Sequence, residues 1–390
     1  WGNNNKLPAG DEDVVALKGA EVTATSRKQV RDGLMAVIDY KPNRAVRSVV
    51  DLYYSQFDQK EIMRGMMWNS ADSVTYRDPR IESMGDVRLL TGGTLVNLQP
   101  IVRNDYNTRK DTLGAVGWNT NVKVDRNWTV DGDLSYSTAK RRETTSETYA
   151  GLGPAGSTAA DDNFGFAIPV GAGLPRFAPG YNYADPNIIR LTDPGGWGHD
   201  ATMHHPIVRD TLDAAKINVK RELEGFLHDV QAGLSYSKRE KTHEDVSQTY
   251  ALKNNRAMTT VPANLIQPST SLAWAGIPSV LSFDSNAALD TLYDKLPVDT
   301  DVAQQDWGVV EKQSVGFVRF GIDTALGRIP VRGNAGVQDV HVNQEARRKA
   351  VNGGGITDLH DGASYDAVLP TWNLNFDIGN YVTDTYLHIG

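Results

Sequence analysis

Asp111–Arg142 reads DTLGAVGWNTNVKVDRNWTVDGDLSYSTAKRR, and its pattern decides the fold. On the first arm Leu113, Ala115 (with Val116 one step on), Trp118, Thr120, Val122 and Val124 are mostly apolar or β-forming, with Gly117, Asn119, Asn121 and Lys123 between them. On the second arm Trp128, Val130, Gly132, Leu134 and Tyr136 alternate with Thr129, Asp131, Asp133, Ser135 and Ser137. A period of two places each set on one face of a strand. Asp125-Arg126-Asn127 supplies a short polar turn. The stretch is therefore an antiparallel hairpin with one apolar, aromatic face and one polar face.

A soluble sheet and a membrane barrel share this alternation, so strand length decides between them. A membrane-spanning strand needs about 9–11 residues, whereas globular strands cluster near 5–6. Both arms reach the membrane length. Trp118 and Trp128 stand toward one end of the apolar face and Tyr136 toward the other, as interfacial aromatic girdles do.

The same form recurs outward from this hairpin. Leu34, Ala36, Ile38 and Tyr40 lead into Pro42-Asn43 and return through Ser48, Val50, Leu52 and Tyr54. Further pairs flank turns near Glu224, Gly327 and Gly379-Asn380. Between the hairpins lie long excursions, about 59–110, 143–210, 241–311 and 347–363. Short turns thus alternate with long connections, the asymmetry of outer-membrane barrels with their short inner turns and long outer loops. The expectation is an all-β, antiparallel up-and-down transmembrane β-barrel, with about ten strands of a larger barrel spread over residues 1–390. A structureless loop of the length of 143–210 would count against most compact folds and is expected on the outer side of a large barrel.

Composition narrows function. The 390 residues carry 40 basic and 48 acidic side chains, a net charge of −8, which argues against a broad nucleic-acid surface. With no cysteine there is no disulfide, thiolate metal site or cysteine nucleophile. No apolar run is long enough for a transmembrane helix, which says nothing against membrane strands. The first residues lack the features of a signal peptide and the last stop inside a strand-like run, so an internal piece of a longer protein is expected.

Several stretches together resemble the barrel of TonB-dependent receptors: RDGLMAVIDYKPN (31–43), DLYYSQFDQK (51–60), VRNDYNTRKDTLGAVGWNTNVKV (102–124), NWTVDGDLSYSTAKRRE (127–143), ETYAG (147–151) and VLPTWNLNFDI (368–378). The likeness is greatest to the proteobacterial subgroup often linked to oligosaccharide uptake. It implies a barrel of about 22 strands, an N-terminal plug, a TonB box and energised import across the outer membrane of a Gram-negative cell. Neither the plug nor the closing C-terminal strands are found in these residues. The implied partners are outer-membrane lipid, the TonB complex acting through the plug, and an oligosaccharide or other small solute. No enzyme activity and no cofactor is implied. A passive porin, a siderophore receptor, a surface β-rich enzyme acting on polysaccharide and an adhesin are the alternatives.

Local motifs add little. Gly151-Leu152-Gly153-Pro154-Ala155-Gly156 matches a dinucleotide fingerprint, but it opens no helix and reads better as a loop. His204-His205, near His199 and Asp200, could hold a metal, although adjacent strand residues point oppositely. Asp161-Asp162 and Asp299/Asp301 read as solvated loop charge before calcium ligands. A polar set (Asp51, Asn119, Asn121, Lys123, Asp131, Asp133, Asn373, Asn375, Asp377) is expected to line the lumen. The candidate ligand contacts are the loop aromatics Trp68, Tyr106, Trp197, Trp274 and Trp307, whose flat rings suit sugar faces.

Overall fold

A computed structural model describes residues 2–3, 7, 13–69, 74–157, 160–297, 300–352, 355–378 and 386–389. Its frame is a meander of ten strands: β1 (Gly19–Tyr40), β2 (Val46–Asn69), β3 (Ile101–Lys123), β4 (Trp128–Gly151), β5 (Ile207–Glu222), β6 (Leu227–Glu244), β7 (Trp307–Leu326), β8 (Ile329–Asn352), β9 (Gly355–Asp377) and β10 (Tyr386–Ile389). Each pairs antiparallel with the next in chain order. This is the up-and-down wall of a barrel, and all-β as expected.

The short turns fall where the sequence places them. Asn43 accepts from the backbone N–H groups of Ala45 and Val46 through Oδ1, at 2.8 and 2.9 Å. Asp125 does the same for Asn127 and Trp128, at 2.7 and 2.8 Å. An Asx side chain that takes two backbone N–H groups closes the chain tightly. Gly327, at φ 67°, makes the two-residue turn between β7 and β8, a conformation that other residues adopt with strain. The turn expected at Gly379-Asn380 lies outside the described residues.

Two expectations are corrected. The strands are far longer than a membrane requires: β2, β4 and β8 each run 24 residues. Much of the expected excursions at 59–110 and 347–363 is ladder, because backbone pairing continues where side chains no longer alternate in polarity. Secondly, β3 and β4 pair in one register from Thr108↔Thr144 to Lys123↔Thr129. That regular ladder puts Gly114, Val116 and Trp118 on one face. Leu113 and Ala115 therefore fall on the polar face, not beside Trp118.

Directly paired residues share a face, so the registers extend that face across the wall. Leu52 meets Val116 and Val116 meets Tyr136. Trp118 meets Leu134, Leu134 meets Ala215, and Ala215 meets Tyr236. Ala232 meets Val318, Val318 meets Val337, and Ala335 meets Trp372. These side chains stand open, with Leu34 69 %, Leu234 66 % and Trp372 52 % exposed. The expected lumen residues occupy the opposite face, where Asn119 pairs with Asp133 and Asn121 with Asp131.

The molecule's hydrophobic core lies elsewhere. The long connections at the end away from the short turns fold into a cap, not into structureless loops. Val87–Leu98 pairs with Thr75–Met84 and with Asp162–Ala167, which in turn pairs with Arg176–Ala178. A hairpin, Ile266–Leu272 with Ile277–Phe283, leads to the short helix α1 (Ser285–Leu292), whose first turn is capped by the Asp284 carboxylate. Leu90, Phe164, Phe177, Tyr183, Leu281 and Phe283 fill this core together with the strand residues Val22, Met66, Trp68, Val102 and Ala150. Asn104 holds the hairpin to β3: its side-chain amide donates to Leu281 O and accepts from Phe283 N, both at 3.0 Å.

The even positions of β1–β4 therefore carry apolar residues at two heights. At the top, Val22, Met66, Trp68 and Val102 are covered by the cap. At the bottom, Leu34, Leu52, Val116 and Leu134 are covered by none of the described residues. Between the two zones the face is polar, with Lys28, Lys60, Lys110 and Arg142.

Candidate functional site

The polar face holds an open groove of about 550 Å³ that crosses the wall from β1 to β7. Arg31, Phe57, Arg109, Asp111, Arg141, Asp210, Lys241 and Trp307 line it. Register assembles them: Arg31 pairs with Phe57, Phe57 with Asp111, Asp111 with Arg141, and Arg141 with Val208. Val208 continues to His243, and His243 to Trp307. One row of side chains thus links seven strands.

Its charges are interlocked. Asp111 pairs with Arg109 and lies 3.3 Å from Arg141. Glu143 lies 3.6 Å from Arg109 and 3.8 Å from Arg141. The Arg109 guanidinium also sits over the Phe57 ring at 5.4 Å. At the far side Arg239 grips Asp210 at 2.6 Å. Trp307 stacks on His243 at 5.7 Å with the rings 4° from parallel, and Lys241 Nζ lies 5.9 Å from its centroid. The groove offers aromatic surface at both ends, planar donors between them and a partly exposed indole. Such a lining can stack on rings and hydrogen-bond hydroxyl or carboxylate groups.

The sequence candidates are scattered. Trp307 lies in the groove. Trp197 is half open on the cap, its ring 4.6 Å from Tyr149 and 6.3 Å from His199. Trp274 is exposed in the turn at the tip of the cap hairpin. Among the described residues no ring contact joins any two of these three. Tyr106 lies within β3, half buried, with its backbone N–H and C=O both bonded to Ser146 Oγ, at 3.2 and 2.8 Å. Trp68 is 3 % exposed, wedged between Phe164 at 4.8 Å and Phe177 at 4.7 Å. Its ring is taken up by packing. The charged members of the groove were missed by sequence reading. Their only local signal is a basic residue two positions before an acid, at Arg109/Asp111 and Arg141/Glu143, which strand alternation puts on one face.

The histidines serve separate partners. His204 Nδ1 meets Asp245 at 3.2 Å and also Ser247 Oγ. A nucleophile relay needs the acid on one ring nitrogen and the hydroxyl on the other; here both share Nδ1. His205 meets Thr144 Oγ1 at 3.1 Å, while Asp200 is bound by Arg256 at 3.0 Å. At the short-turn end Glu222, His228 and Asp229 approach one another. Lys220 already lies 2.8 Å from Glu222, and Arg319 3.0 Å from Asp229.

Beneath the cap, Arg103 bonds Asp105 at 2.6 Å and Glu147 at 2.9 Å. Burial pushes the Asp105 carboxyl up to about 7 against the pull of Arg103. Burial likewise keeps the His199 imidazole below its ordinary value. Arg103 thus ties β3 to β4 through Glu147, above the groove.

No family model and no curated protein matches the chain. Among solved structures it is similar to the ferric-catecholate import receptor Fiu from K12 E. coli in its closed form, at 8% identity and a TM-score of 0.37. The match covers 94% of this chain and 49% of that one, so the chain spans about half the length of that receptor.

Proposed function

We propose that the chain is part of an outer-membrane receptor that imports a bulky, scarce solute, an oligosaccharide in preference to an iron chelate, with energy delivered by the TonB complex through a plug domain. One observation carries the membrane reading: a single face of the wall is apolar at two heights, and the described residues cover only the upper one. An exposed apolar surface spanning nine strands is untenable in water. A lipid bilayer covers such a surface without further protein, and the polar face then lines the lumen. The resemblance of the hairpins to TonB-dependent receptors supplies the energy source and the plug.

The groove's lining supports this solute class. Trp307 and Phe57 offer flat apolar faces, with Lys241 between them and Arg31 beyond Phe57 supplying donors for oxygen-rich groups. Trp197 and Trp274, open on the cap, are the further contacts in this reading. Loss of one stacking ring is expected to weaken solute binding by about 1–3 kcal/mol. The test is binding of candidate oligosaccharides to the intact receptor carrying Trp307→Ala, Trp197→Ala or Trp274→Ala. The largest loss is expected at Trp307, where the groove lies. Parental affinity in all three variants for every candidate would refute the aromatic-contact reading.

A further inference from the structure

On the apolar face, roughly a dozen residues up from the short turns, basic side chains stand directly opposite one another. Lys110 on β3 pairs with Arg142 on β4. One step lower, Lys140 on β4 pairs with Arg209 on β5. Neither ladder slips between these positions and the open belt below, so all four share the face of Val116, Leu134 and Ile217. Like charges facing each other across two strands are destabilising, and here two such pairs adjoin.

The chain does little to neutralise them. Arg209 reaches Glu244 at 3.2 Å. Lys110 has Asp58 across the strand on its other side. Lys110, Lys140 and Arg142 make no ion pair among the described residues. Lys110, Arg142 and Arg209 are exposed. Four cations are thus gathered where the protein alone gains nothing from gathering them.

Height identifies the missing partner. Tyr136 and Tyr236 top the open belt, four residues below Lys140 and two below Lys238 on their own strands. In a bilayer that covers the belt, this level meets the headgroups of the outer leaflet. We infer that Lys110, Lys140, Arg142 and Arg209 form a binding site on the outer wall for the phosphate groups of anionic lipid headgroups. Two guanidinium forks and two ammonium groups in one patch suit phosphate oxygens. The acyl chains of the same lipid would lie along the belt below, over Leu134 and Ile217. The inference rests on the membrane reading above.

The site gives stability a sign that depends on lipid. The full receptor is placed in phosphatidylcholine nanodiscs with and without roughly one part in ten of phosphatidic acid, where each basic contact adds attraction to the surface. Lys110→Gln together with Arg209→Gln removes one member of each opposed pair. In phosphatidylcholine alone this variant is expected to resist unfolding better than the parent. With phosphatidic acid the order should reverse, and lipid retained on the purified receptor, counted by native mass spectrometry, should fall about tenfold. Inorganic phosphate offered without lipid distinguishes the sources: strong binding of the free ion with no retention of phosphatidic acid would refute the headgroup assignment. So would equal retention by parent and variant. A receptor that fails to enter nanodiscs at all would overturn the membrane reading itself, whereas entry without headgroup preference would overturn only this site.

Discussion

Leu134→Arg is expected to cost about 2–4 kcal/mol of folding free energy in a bilayer, and its neighbour Asp133→Asn well under about 1 kcal/mol. The difference rests on facing alone. Leu134 lies between Trp118 and Ala215 on the open apolar face, where the diagonal Asp213 is the nearby acidic group. An arginine there would stand in hydrocarbon unless its stem carried the charge to the interface. Asp133 pairs with Asn119 and Lys216 on the polar face, where an amide keeps most of the hydrogen bonding. Urea titrations of the full-length protein folded into vesicles give both numbers. Equal costs would mean that the two faces have been misassigned.

Trp68→Ala is expected to cost about 3–5 kcal/mol, felt in the cap and not in the wall. Its indole is enclosed by Phe164 and Phe177, and the space left by alanine borders a close-packed aromatic cluster. The indole Nε1 is buried without a hydrogen-bond partner, so Trp68→Phe should be much milder: it loses volume but also removes an unsatisfied donor. Amide exchange over Asp162–Ala167 and Val87–Leu98 should accelerate strongly in the alanine variant and little in the phenylalanine one. Unchanged protection in Trp68→Ala would contradict the packing role. A loss of solute binding with the cap intact would return Trp68 to the set of ligand contacts.

The lower wall was legible because two different solvents act on its two faces. Trp128, Leu134 and Tyr136 alternate with Asp131, Asp133 and Ser135 for that reason, and Asn43 and Asp125 mark the turns by the bonds that their side chains make. Higher up, the cap packs on the wall over Met66, Trp68 and Val102 and takes the place of the lower solvents, so β2 beyond Gln59 and β3 before Lys110 show no clean period although the ladder continues. Leu113 and Ala115 were misplaced because one apolar residue on the polar face looks like a slipped strand. The groove was illegible since Phe57, Asp111, Arg141 and Trp307 meet only through five registers. Trp68 and Trp307 looked alike in the sequence. Only the distant Phe164 and Phe177 distinguish the first, burying it in the cap, from the second, which is left on the wall.

The face that meets lipid is the central claim, and site-directed spin labelling tests it most directly. The 390 residues contain no cysteine, so single labels at Leu134→Cys, Ile217→Cys, Asp133→Cys and Lys216→Cys introduce no competing thiol within this chain. With the full receptor in vesicles, power saturation should show labels at 134 and 217 open to oxygen and shielded from a water-soluble nickel chelate. Labels at 133 and 216 should show the opposite preference. Water-accessible labels at all four positions, or the reverse alternation, would contradict a lipid-facing belt.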